Sequence, residues 1–133
     1  MALVSEIINR SLRLIGAIDA LAATDAVDSQ TAIVALNALC NRWEANGLAM
    51  GWVDVSDPDD TFPAPVEAEE AVTYQLALRL AAEYGVAPRG DVAAFAMESL
   101  AALRQDRLAA APLTLASDLP RPLHWNIYTD EAV

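Results

Sequence analysis

Residues Pro63–Val86 read PAPVEAEEAVTYQLALRLAAEYGV, and this stretch decides the fold. Pro65 suits the first helical position, where no amide hydrogen is required. Glu67, Glu69 and Glu70 fall in the opening turns, where the positive end of the helix dipole favours carboxylates. The apolar set is Val66, Val72, Tyr74, Leu76, Ala77, Leu78, Leu80, Ala81 and Tyr84, which is wider than one stripe. A helix apolar over most of its circumference is central in its domain or shared with a neighbouring subunit.

The flanking stretches are also helical. Upstream, Asp28 or Ser29 opens a helix that runs to Asn46–Gly47, a strong stop signal. Ile33, Leu36, Cys40 and Trp43 form one face of it, and Asn37, Asn41 and Glu44 another. Before that, Ser5 to Ile15 reads as a helix with Ser5 as N-cap and Gly16 past its last turn. Val4, Ile8, Leu12 and Ile15 make its buried stripe, and Asn9, Arg10 and Arg13 point out. Downstream, a fourth helix starts between Pro88 and Asp91 and continues to about Ala110, with Val92, Phe95, Ala96, Leu100 and Leu103 inward. Short connectors favour antiparallel neighbours.

Two segments break the scheme. Gly51–Pro63 holds a strand-like piece (Trp52, Val53, Val55) and an acidic turn; Pro112–Val133 holds three prolines and ends LHWNIYTDEAV. The expected fold is therefore all-α: a small antiparallel bundle of about four helices, with a short irregular or hairpin-like connector after the second. Residues 1–111 form the helical domain, and 112–133 an extended C-terminal arm.

The chain has 133 residues, enough for one core, since about two-thirds of the surface of a chain this size can be buried. Nineteen acidic residues stand against eight basic ones, all Arg, for a formal net charge of −11. Such a chain repels nucleic acid and anionic membranes, because binding them needs clustered Lys or Arg. Sequence-specific nucleic-acid binding and membrane association are thus not expected. No apolar run approaches a membrane span, and Glu6 with no basic n-region argues against a secretory signal, so a reducing cytoplasm is the default.

Little supports catalysis. One Cys and one His remove disulfide frameworks and most metal or acid–base sets. Cys40 lies between Leu36 and Trp43 on the inward face and reads as a small buried hydrophobe. His124 has no attached nucleophile motif. With no Lys in the chain, a Walker site is excluded. The acids Asp54, Asp57, Asp59, Asp60, Glu67, Glu69 and Glu70 do not follow the EF-hand pattern and read as a solvated turn and helix start. No catalytic residue, cofactor or metal is expected. The clearest physical signal is the arm: Trp125, Ile127 and Tyr128 are costly to leave exposed and are residue types that anchor interfaces, so the arm either packs on its own domain or crosses to another surface.

Three ordered motifs carry a resemblance over about residues 3–107. They are an R-x-L-x-x-I/L-G helix end within Ile7–Ala20, the helix bearing Leu36, Asn37 and Trp43 closed by Asn46–Gly47, and the ALRLAAEYG segment. In this order they resemble the head-to-tail adaptors of tailed bacteriophages, closest to the tail accessory factor, or packaged-DNA stabilisation protein, of short-tailed phages. The resemblance implies a non-enzymatic connector, assembled in the host cytoplasm and residing at the virion's head–tail junction. It implies a homo-oligomeric ring, dodecameric in the particle, that docks on the portal protein, extends the DNA channel and meets a downstream tail or nozzle protein. It also implies that the arm, through Leu119, Leu123, His124, Trp125, Ile127 and Tyr128, contacts the portal or a neighbouring subunit. Asp54, Asp57, Asp59 and Asp60 would then face the channel, where a wall without basic patches lets a polyanion slide. Relatives often carry a longer β-hairpin where only Gly51–Thr61 stands here.

Two other readings compete. An acidic helical regulator or DNA mimic would bind a basic DNA-binding protein with steep salt dependence. A cell-wall glycosidase would need two carboxylates roughly 5–9.5 Å apart in a groove.

Overall fold

The computed structural model describes residues 1–110, apart from 20 and 23, and the backbone of residues 125–126 and 131–132 in the C-terminal segment. Four helices make up the domain: α1 Val4–Leu14, α2 Ala26–Ala45, α3 Val66–Glu83 and α4 Gly90–Ala110. The fold is all-α and bundle-like, as expected. α3 packs against each of the other three helices. Its breadth of apolar residues thus has an explanation within one chain. Ala68, Ala71, Ala77 and Ala81 are all buried, and such small side chains let neighbouring helices come close.

The helix starts differ from the sequence expectation, each for a local reason. α1 begins at Val4, ahead of the expected Ser5 cap, because a distant segment caps it. The Val4 and Ser5 amides donate to the carbonyls of Asp60 and Pro58 at 2.9 and 2.8 Å, and Glu6 Oε2 accepts from the Leu3 amide at 3.0 Å. α2 begins two residues before Asp28, because the Asp25 side chain accepts from the Ala26 amide at 2.8 Å. Pro65 occupies the N-cap of α3 rather than its first helical position. On α4, Val92, Ala96 and Leu103 face inward as read, but Phe95 is 50% exposed. It lies at the edge of the packed face, its ring 5.8 Å from that of Tyr74.

The expected stop at Asn46–Gly47 holds. Gly47 has φ of 88°, a left-handed conformation that only glycine adopts freely, and the Leu48 amide returns to the Trp43 carbonyl at 3.0 Å. Between α1 and α3 the buried Ser11 hydroxyl is shared by the carbonyls of Ile7 (2.8 Å) and Thr73 (3.0 Å), so this polar group costs the core little.

In the C-terminal segment, β1 Trp125–Asn126 pairs antiparallel with β2 Glu131–Ala132, Trp125 opposite Ala132. The described part of the arm is thus extended backbone paired with itself.

Candidate functional site

The polar face of α2 holds the segment that follows the helix. Asn37, Asn41 and Glu44 recur at four and three residues and so project on one side. The Asn37 amide nitrogen donates to the Val55 carbonyl at 2.8 Å, while its oxygen accepts from the Val55 amide at 3.1 Å. One side chain therefore stands in for a neighbouring β-strand. Asn41 Nδ2 donates to Asp54 Oδ1 at 2.7 Å. Glu44 Oε1 accepts from the amides of Met50 (2.7 Å) and Trp52 (3.0 Å). These amides, the Trp52 bond foremost, hold the Glu44 carboxyl below the usual glutamate range against a smaller opposing effect of burial.

The anchored connector then buries its own side chains. Met50, Val55 and Phe62 are buried, and the Trp52 ring meets Phe62 edge-on at 5.6 Å. Its far end lies beside the N-terminus, where Leu3 and Thr61 form an antiparallel bridge and the Phe62 amide donates to the Ala2 carbonyl at 2.9 Å. Phe62 escaped the sequence reading because it stands between Thr61 and Pro63, outside any periodic pattern. The pairing role of Asn37 was missed as well; its signal was the amide and carboxylate spacing on α2, noted only as a face.

The acidic turn is closed by its own carboxylates. Asp60 Oδ2 accepts from the amides of Ser56 (3.1 Å) and Asp57 (3.0 Å), and Asp57 Oδ1 accepts from the Asp59 amide at 2.9 Å. Asp57, Asp59 and Asp60 are thereby gathered into one turn, while Asp54 sits apart on Asn41. Asp54, Asp57 and Asp59 are exposed and Asp60 is half-buried. Of the arm residues, Leu119, Leu123, His124, Ile127 and Tyr128 lie outside the described residues, and Trp125 is described only as backbone of β1.

Among the described residues no three His, Cys, Asp or Glu side chains converge as a metal site would need. A groove of about 590 Å³ between the C-terminal ends of α2 and α4 is lined by Trp43, Leu48, Leu108, Arg104 and Arg107, with no acid or base pair. Glu70 and Glu98 share a recess of about 210 Å³. Both are exposed, whereas a glycosidase pair works through one apolar and one polar environment. Cys40 is buried, and that burial pushes its thiol up to about 12, far from a reactive thiolate. No described helix is long and apolar enough to cross a membrane.

Helices packed around α3, with polar side chains committed to bracing a connector, define a structural all-α module. The family model for the P22 tail accessory factor matches residues 3–126, and the chain belongs to that family. It is thus a structural, tail-related phage protein. No curated protein matches it at a significant level.

Proposed function

We propose that this chain is a head-to-tail connector that forms a ring on the portal protein, extends the DNA channel and presents a platform to a downstream tail protein in the virion. The observation that carries the reading is the family match, which spans nearly the whole helical domain and reaches into the arm. The physical organisation agrees with it. Among the described residues the polar groups of the connector bind each other and α2, as suits a protein whose task is to hold a shape. The arm segment 112–133, through Leu119, Leu123, His124, Trp125, Ile127 and Tyr128, is the proposed contact with portal or neighbouring subunit. The exposed acids Asp54, Asp57 and Asp59, with Asp60 at the base of their turn, are proposed to line the channel. Repulsion between these carboxylates and phosphate would keep DNA from sticking to the wall.

The test is native mass measurement of the purified chain alone and mixed with its portal, followed by imaging of the complex. A ring of this chain seated on the portal is expected. A chain that ignores the portal, and instead binds a basic DNA-binding protein in a salt-sensitive manner, overturns the reading in favour of a regulatory acidic module.

A further inference from the structure

Two helix faces turned away from α3 are apolar yet uncovered. On α2, Val27 and Val34 are 71% and 68% exposed, and the exposed Ala38 continues the same face eleven residues from Val27; the apolar stripe ends at Asn41, fourteen residues on, which holds Asp54. Thr31, within this stripe, donates its hydroxyl to the Val27 carbonyl and so asks nothing of a partner. On α4, Leu108 and Met97 are 76% and 74% exposed, with exposed Ala101 and Ala94 between and beyond them. Counted back from Leu108, these positions fall at seven, eleven and fourteen residues, the α2 spacing in reverse.

We propose that the α2 stripe of one copy docks antiparallel on the α4 stripe of a second copy, so that each chain uses α2 toward one neighbour and α4 toward the other. The occupant follows from shape and charge. In antiparallel register Val34 meets Ala101 and Ala38 meets Met97, large against small, the condition for helices to approach closely, and Val27 meets Leu108 as an apolar pair at the end of the contact. In parallel register Met97 falls opposite Gln30 and Ala38 opposite Gln105, and the fit is lost. Two chains each carrying −11 associate only where carboxylates are absent. From Val27 to Ala38 and from Ala94 to Leu108 neither stripe holds one, and in antiparallel register Arg42 at the edge of the α2 stripe lies on the same side as Glu98 of α4. Because the two faces differ, the contact is heterologous rather than two-fold, the kind that builds a ring when its rotation closes. This inference rests on the ring reading above and names the surfaces that would build it.

Two chains with one added cysteine each, Ala38→Cys and Met97→Cys, are mixed at concentrations up to about millimolar and oxidised; the buried Cys40 does not compete. The expected result is a mixed Ala38→Cys to Met97→Cys crosslink forming faster than either self-crosslink. Val34→Glu should raise the concentration needed for association at least about tenfold with helix content unchanged. Dominant self-crosslinks, association insensitive to Val34→Glu, or no association at all overturn the proposal. An oligomer built through another face removes only this inference, whereas indifference to the portal removes the connector reading itself.

Discussion

The side-chain amide of Asn37 satisfies both backbone groups of Val55, eighteen residues along the chain, at 2.8 and 3.1 Å. This pair fixes the connector to α2 and thereby the position of the acidic turn. Replacing Asn37 with Ala leaves a partly buried amide and carbonyl without partners, which should cost about 2 kcal/mol. Asn37→Asp keeps the acceptor but loses the donor and should recover only part. Asn41→Ala, which removes an exposed bond to Asp54, should cost well under 1 kcal/mol. Urea unfolding of the three variants checks the order.

Glu44 makes the connector's hold pH-dependent. Its carboxyl is held below the ordinary glutamate value of about 4.3 in the folded state by the backbone amides of Trp52 and Met50. A group with a depressed folded pKa contributes stability that is complete above the unfolded value and fades as pH falls through the folded one. Glu44→Gln should therefore be less stable than the parent by about 1 kcal/mol at pH 7. The two should converge as pH falls below the ordinary glutamate value and through the depressed folded one. A gap that stays constant with pH would show that packing, not the carboxylate, is what the substitution removes.

Much of this was legible in the sequence, and the failures have a common cause. Gly16 and Gly47 marked helix ends, and the stripes Val4, Ile8, Leu12 and Ile33, Leu36, Trp43 marked core faces, because helix stops and buried faces are local properties. Cys40 was correctly read as buried from its place between Leu36 and Trp43. What escaped were contacts across the chain. The start of α1 depends on carbonyls from Pro58 and Asp60, and the burial of Phe62 on the amide-to-carbonyl bond with Ala2. Neither leaves a periodic signal. The exposure of Phe95 was missed for a different reason, since a residue at the margin of a helical stripe is assigned inward or outward by its neighbours on other helices.

Cys40 offers an internal probe of this core. With its side chain buried and its thiol pushed up to about 12, chiefly by burial, the native protein should not react with a thiol reagent at pH 8. In denaturant the ordinary value of about 8.5 returns and labelling becomes fast. The labelling rate against urea concentration should then follow global unfolding. Rapid native-state labelling would mean that α2 opens locally.

Tyr84, at the C-cap of α3, donates its hydroxyl to Asp28 Oδ1 at 2.8 Å and joins the end of α3 to the start of α2. Burial, then the Asp28 bond and charge, raises the phenol to about 12. A raised folded pKa gives stability that is whole below the unfolded value of about 10 and is lost as pH rises toward the folded one. Ultraviolet titration should show Tyr84 ionising late, and Tyr84→Phe should remove that contribution. The ring lies at the edge of exposure, so the loss in stability at pH 7 should stay below about 1 kcal/mol.

The proposed role of the arm lets folding be tested apart from assembly. The described core runs from Val4 to Leu103, and its largest fully buried side chains, Phe62, Ile8, Leu36, Leu76 and Leu103 among them, come from the four helices and the connector. Deleting Pro112–Val133 should leave helix content and cooperative unfolding within about 0.5 kcal/mol of the parent. If the arm is the contact proposed above, the same deletion should abolish binding to the portal or to neighbouring copies. Trp125→Ala alone should weaken that binding at least about tenfold, the scale of a buried aromatic anchor. Circular dichroism on the free chain and native mass measurement on the mixture read the two effects separately. A deletion that unfolds the helices would instead make the arm part of the core.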